Sequence, residues 1–318
     1  MQEFVLIKTS FLCILNHYTP VKQIKAMRIV RSKKLNEIVL GIDVGGSTTK
    51  IVGIKDNINF GMLQVRAADQ VTSMYGAIGN LLSKHDIALS DVAAIYLTGV
   101  GASFINEQIY GIKTYKIAEF EAIGRGGLAM AGFNQALVVS MGTGTAFVKA
   151  EKFENTGDSV NGSQDTIIVT HLGGSGVGGG TIIGLASQML DKRDVDAILA
   201  LADKGDLKNI DLSVSDILNS EVNSLPFNLT ASNFGKIRST ASDSDIALGI
   251  INMVFETAGM LAVFALRNET IKDVIITGSL AEFPQAKTIF TQFTSITGIN
   301  FLIPDNAVYA TALGATMS

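Results

Sequence analysis

The sequence predicts an α/β protein of two similar halves, and three observations carry that prediction. "EIVLGIDVGGSTTKIVGIKD" reads as a β-run ending at Asp43, a glycine turn, and a return strand in which "TTKIVGI" alternates. The pattern then starts again in "ALVVSMGTGTAFVKAE", where residues 140–145, "SMGTGT", align with residues 43–48, "DVGGST". Between the repeats lie segments of helical spacing, such as the one carrying Val71, Met74, Ile78, Leu81 and Leu82. With 47% hydrophobic and 17% charged residues, the 318-residue chain can cover such elements on several sides.

In the first half, "FGMLQVR" is a third strand completing a meander, followed by the helix over "DQVTSMYGAIGNLLSKHDI". "DVAAIYLTGVGA" is a strand running into a glycine turn, and "EFEAIGRGGLAMAG" is a small-residue helix whose glycines mark close packing. A boundary near Asn134 separates residues 38–134 from residues 135–318. After the second hairpin and the glycine-rich "THLGGSGVGGGT", helices are predicted over 181–190, 195–204 and 243–269. The strand "DVIITGS", a helix near 284–297, the strand "NFLIP" and a final small-residue helix complete the chain.

Residues 1–37 hold seven Lys/Arg against two acids and read as a basic leader: disordered, or an upstream extension with Met27 as the true start. Lys8 interrupts the apolar "FVLIKTSFLCIL" and no small-residue cleavage site follows cleanly, so a secretory signal is not expected. The remaining residues carry 18 basic and 27 acidic side chains, which argues against nucleic acid as a partner. One cysteine, Cys13, allows no internal disulfide and no iron–sulfur site within one chain, and points to a reducing, cytoplasmic setting. Residues 246–266 are long enough to span a bilayer, but Asn252, Glu256 and Thr257 in their middle predict a buried or interface helix instead of a membrane span.

A glycine turn lets backbone N–H groups approach phosphate oxygens with no Cβ in the way. The first turn adds the hydroxyls of Ser47, Thr48 and Thr49 and the charge of Lys50, and Asp43 stands where a carboxylate could hold magnesium against phosphates. Two such turns from two similar halves suggest a nucleotide held between them. The P-loop and Rossmann fingerprints are absent. Gly178, Gly179 and Gly180 run into a helix whose N-terminus is expected to aim N–H groups at an anion. Glu119 and Glu121, at the entry of a helix, are candidates for the base a transferase needs, or for capping that helix.

"GIDVGGSTTK" resembles the opening motif of the actin, hexokinase and Hsp70 superfamily, which implies an actin-like ATPase (ribonuclease H-like) fold around a nucleotide cleft. "LTGVGA", "EFEA", "VSMGTGTAFV", "LGGSGVGGGTIIGL", "ADKGD", "ASNFGK" and "ITGS" follow in the order and spacing of the type II pantothenate kinases, a resemblance covering residues 38–318. It implies phosphorylation of pantothenate by ATP with Mg2+, the entry step to coenzyme A. By position it implies that Glu119 is the catalytic base and that Gly45, Gly46, Ser47, Thr48, Thr49 and Lys50 form the first phosphate loop. Thr143 with Gly144 match the second loop, Gly178 to Thr181 the third ATP-binding segment, Ser279 a nucleotide-contacting serine, and Asp43 the acid near magnesium. It further implies a homodimer formed through the long helix of the second half, and coenzyme A or an acyl-CoA as candidate inhibitor. His171 stands where the family usually has an arginine beside the glutamate, with Arg125 as a candidate substitute. Alternatives are another small-molecule kinase of the superfamily, an ATPase activator of a 2-hydroxyacyl-CoA dehydratase, and a nucleotide-dependent scaffold without activity.

Overall fold

A computed structural model describes residues 27–28, 37–66, 69–105, 108–153, 166–217 and 229–317. Expectations for the leader and Cys13 lie outside them, apart from Met27–Arg28, which pairs antiparallel with Thr166 and Ile167.

Each half is a sheet covered by helices. In the first, β1 (Ile38–Val44), β2 (Thr48–Lys55) and β3 (Ile58–Arg66) form an antiparallel meander, and β4 (Val92–Thr98) and β5 (Thr114–Lys116) add in parallel, in the order β3-β2-β1-β4-β5. In the second, β6 (Gln135–Met141), β7 (Thr145–Phe153), β8 (Thr166–Ser175), β9 (Asp273–Thr277) and β10 (Asn300–Leu302) take the same order, β8-β7-β6-β9-β10, with the same senses. The repeat legible in the two hairpins thus extends to five strands of each sheet, with Met27–Arg28 adding a sixth at the β8 edge of the second.

Burial on both faces explains why β1 reads as an almost continuous apolar run. One face takes α1 (Gln70–Lys84), started by Asp69, whose carboxylate accepts from the Thr72 N–H, and packed through Met74, Ala77, Ile78, Leu81 and Leu82. The other takes the short α7 (Ala310–Ala315), so close that a Cβ at Gly41 would run into the Ala312 carbonyl. The second sheet is covered on one side by α2 (Glu119–Ala131). On its other side lie α3 (Gly179–Leu190), α4 (Val195–Ala202), α5 (Asp243–Ala265) and α6 (Pro284–Thr297).

The helices α2 and α7 cross the line that separates the strands. α2 precedes Asn134 in the chain yet packs on the second sheet, and α7, at the far end, packs on the first. They touch backbone to backbone: a Cβ at Gly126 would strike the Ala310 carbonyl, and one at Gly314 the Ala122 carbonyl. This contact seats the start of α2, and with it Glu119, between the two sheets.

Helices α3 and α4 differ by two residues at one end from the expected 181–190 and 195–204, and two larger departures have a local cause. β8 was not expected, because its glycines read as turn; pairing with β7 imposes the ladder, and a bulge at Leu172 absorbs the irregularity. α5 ends at Ala265 instead of 269, where Leu266 caps it and Lys149 draws Glu269 away at 3.3 Å. α5 is the one helix among the described residues long and apolar enough to cross a membrane. Its Ala247, Ile250, Val254, Phe255, Ala258 and Ala262 lie in the core, and its mid-helix polar groups have protein partners: Asn252 donates to Asp211 at 2.9 Å, and Glu256 accepts from Thr230 and Asn233.

Candidate active site

The first turn joins β1 to β2. The Gly45 N–H donates to the Thr48 carbonyl at 3.0 Å and tightens the loop, leaving Gly46 and Ser47 exposed. Antiparallel register sets Asp43 directly opposite Lys50, on one face of the sheet. Their charged groups lie 3.5 Å apart, both buried. Burial pushes the Asp43 carboxyl above the usual carboxylate range, against the pull of Lys50. Thr49 points to the opposite face, where its buried hydroxyl has no partner among the described residues.

The second turn, Gly142 to Gly144, joins β6 to β7 and is closed by the Gly142 N–H donating to the Gly144 carbonyl at 2.9 Å. It faces the first across the cleft: a Cβ on Gly46 would come to 3.8 Å from the Thr143 hydroxyl. Behind it stands the start of α3. The expectation that Gly178 to Thr181 aim free N–H groups at an anion is corrected here, because those donors are engaged within the protein. The Gly179 and Gly180 N–H groups donate to the Gly142 and Thr143 carbonyls at 2.8 and 2.9 Å. The Gly178 N–H donates to the Thr181 hydroxyl, which itself donates to the Gly176 carbonyl, and the Thr181 N–H donates to the Gly178 carbonyl. Bare backbone is needed because a Cβ at Gly178 would sit 2.7 Å from the Gly144 Cα and the Thr143 carbonyl oxygen. The glycines clamp the second turn, and the α3 dipole still points toward it.

Ser279 lies at the same rim. The residue before it, Gly278, has φ +88° and backs the Met141 carbonyl, while Leu280 reaches Gly179. Beyond it, at the C-terminal ends of β9 and β10, is a cavity of about 650 Å³ lined in part by Glu282, Phe283, Lys287, Phe301 and Asn306.

Glu119 opens α2 with Ala118 as a cap that offers no side chain. Half-buried, its carboxyl is pushed up first by burial and then by the charge of Asp43, with Lys50 opposing. The charges of Asp43 and Lys50 thus reach Glu119, which puts the three in one electrostatic site. Glu121 turns away to the buried Arg125 at 3.3 Å, so the guanidinium considered as a stand-in for the family's arginine has a carboxylate partner elsewhere. The His171 ring, on β8, is stacked on that of Phe120, centroids 3.7 Å apart and 6° from parallel, one residue from Glu119.

The reading from sequence missed Thr98, Gly99 and their counterparts Thr277 and Gly278. The signal was present in "LTG" and "ITG", each closing an apolar strand. Gly99 and Gly278 share φ +88°, and each lies against the end of its hairpin's first strand. A Cβ at Gly99 would sit 2.5 Å from Asp43 Oδ1.

The sequence profile of the Fumble family matches residues 134–317, a span that includes the second turn, its clamp and Ser279. The chain belongs to the Fumble family, the type II pantothenate kinases. It is accordingly a kinase. A type II pantothenate kinase of Bacillus cereus is 27% identical over 274 residues, 81% of this chain and 90% of the relative. One of Oceanobacillus iheyensis is 26% identical over 239 residues, 72% and 84% of the two chains. Among solved structures, component A of the (R)-2-hydroxyglutaryl-CoA dehydratase of Acidaminococcus fermentans superposes with a TM-score of 0.59 at 18% identity, over 88% of this chain and 96% of that one. The activator of the 2-hydroxyisocaproyl-CoA dehydratase from Clostridium difficile, with bound ADPNP, gives 0.59 at 16% identity, over 88% and 93%. These likenesses carry the actin-like ATPase fold. In this Fumble kinase no group of three or more His, Cys, Asp or Glu side chains converges among the described residues.

Proposed function

We propose that the protein phosphorylates pantothenate with ATP to give 4'-phosphopantothenate, the first step of coenzyme A synthesis. The observation that supports this reading is the pair of facing glycine turns with the buried Asp43–Lys50 pair beside the first, whose charges are felt at Glu119. The two sheets, each with the helices packed on it, so that α2 goes with 135–318 and α7 with 38–134, close on the triphosphate. Gly45 to Lys50, Thr143 and Gly144 meet its oxygens, while Gly178 to Thr181 hold the second turn and Ser279 borders the nucleoside. The acceptor hydroxyl oxygen attacks the γ-phosphorus, the bond to the β,γ-bridging oxygen breaks, ADP leaves with that electron pair, and the hydroxyl proton passes to Glu119. A carboxylate whose pKa is raised is the better base for this transfer.

Magnesium fits the donor set, since the buried Asp43 carboxylate meets Lys50 only at 3.5 Å and lies beside the first glycine turn; Asp43 would hold the ion, which would neutralise phosphate charge when bound. His171, stacked on Phe120, lines the acceptor side. The exposed Met260, Leu261 and Phe264 on α5 form the contact of a homodimer. We place the enzyme in the cytoplasm, without nucleic-acid or membrane partners, and open to inhibition by coenzyme A or an acyl-CoA. A coupled assay of ADP release with and without pantothenate tests the reading: turnover should depend on pantothenate, and equal turnover without it would sink the assignment in favour of an ATPase.

A further inference from the structure

Strand register lays four polar residues side by side on the cleft face of the first sheet: Gln64 on β3, Lys50 on β2, Asp43 on β1 and Thr98 on β4. Residues paired across neighbouring strands share a face. Thr98 is fully buried, and its hydroxyl has no hydrogen-bond partner among the described residues. A buried hydroxyl left unpaired is costly, and this one stands beside a buried carboxylate. Asp43 is shared between the two sides: Oδ2 leans to Lys50 at 3.5 Å, and Oδ1 leans over β4, where a Cβ on Gly99 would come to 2.5 Å.

We propose that Thr98 is a positioning residue that donates to the Asp43 carboxylate when the Lys50 ammonium turns to the phosphates of the bound nucleotide. This rests on the reading of the first turn as a phosphate site. Phosphate attracts Lys50 away from a partner it holds only at the outer limit of hydrogen-bond length. Asp43 Oδ2 is then released from the ammonium, to the ion where one is bound, while Oδ1 stays buried on the β4 side with the Thr98 hydroxyl as the donor next to it. Among the described residues of the free protein that hydroxyl has no partner, and the loaded protein uses it.

The second sheet supplies a control. Thr277 holds the equivalent place opposite Ser140, is equally buried and also has no partner among the described residues. It faces no charge. The test compares Thr98→Val, Thr98→Ser and Thr277→Val with wild type by melting temperature, with and without ATP, and by steady-state kinetics. Thr98→Val should melt no lower than wild type in the absence of nucleotide, show a smaller ATP-induced rise, and lose about tenfold or more in kcat with the KM for pantothenate little changed. Thr98→Ser should restore both properties. Equal responses from Thr98→Val and Thr277→Val, or a serine variant as impaired as the valine one, would assign Thr98 to packing and overturn the proposal. Lys50→Met separates the two readings. If it leaves the ATP-induced rise intact, the phosphate reading falls and this inference with it; if it abolishes the rise while Thr98→Val is silent, the inference alone fails.

Discussion

Asp43 at the end of β1 and Ser140 at the end of β6 hold equivalent places in the five strands the two sheets share, yet their hairpins differ in charge and in how their loops are held. Across the first, Asp43 faces Lys50; across the second, Ser140 faces Ala146. The first loop leaves Gly46 and Ser47 open, whereas the second is one residue shorter and is tied from behind by Gly179 and Gly180. One copy of the motif carries charge, and the other is neutral and held rigid. For phosphoryl transfer, which depends on positioning and on charge placed in advance, the two copies supply complementary parts.

The largest effect should come from removing the base on the charged side. Glu119→Ala is expected to lower kcat by about two orders of magnitude or more while calorimetry finds ATP binding nearly intact. A variant that turns over like wild type would detach the chemistry from the charged hairpin. The pH dependence carries the same information. Burial and Asp43 hold the Glu119 carboxyl above the ordinary 4.5, so its neutral form is favoured in the folded protein. Its contribution to stability is therefore present below the unfolded pKa and lost as pH rises through the folded one, while activity rises with the same ionisation. The acid limb of kcat/KM should lie above pH 4.5. Glu119→Gln should melt at or above the wild-type temperature at neutral pH, and an acid limb at or below the ordinary value would show that the base is another group.

Gly99→Ala and Gly278→Ala impose the same backbone strain at φ +88° on the two halves. Both should lose about 1–3 kcal/mol in denaturant unfolding. Gly99→Ala should in addition lose turnover out of proportion to its stability, because the new methyl collides with Asp43 Oδ1, whereas the Gly278 methyl meets only Met141 backbone. Equal kinetic losses would erase the asymmetry between the hairpins.

The clamp on the neutral turn predicts a smaller change. Thr181→Val removes the hydroxyl that bridges the Gly178 N–H and the Gly176 carbonyl, and should cost about 1–3 kcal/mol of stability. Smallest of all is Arg66→Ala. Arg66 on β3 reaches Asp194 and Asp196 at the start of α4 at 3.5 and 3.7 Å, joining the halves through side chains that are largely exposed. Its loss should change stability by no more than about 1 kcal/mol, and the change should shrink in high salt. A larger, salt-resistant loss would reveal a rigid contact between the halves.

Much of this was legible in the chain itself. Glycine turns between alternating strands can hardly form anything but hairpins, and the alignment of residues 43–48 with 140–145 already implied two like halves. Glu119 at a helix entry and the polar residues midway along α5 were readable because their local patterns are strong. The strand over 166–175 was not, since glycines at 173 and 174 weaken local β-propensity and only the neighbouring strand holds them extended. Its place as third strand of the repeat was the available clue.

The sequence by itself determined the repeated hairpins, the residue types at their tips and the acidic side chains available for chemistry, because these follow from short-range backbone preference. Tertiary structure decided which of those groups meet. The crossing of α2 and α7 carries Glu119 to Asp43 and Lys50, and the His171 ring stacks on Phe120, the next residue of α2. The donors of Gly178 to Gly180 turned inward for the same kind of reason: a hydrogen bond goes to the acceptor that packing brings within reach, and no local pattern names it.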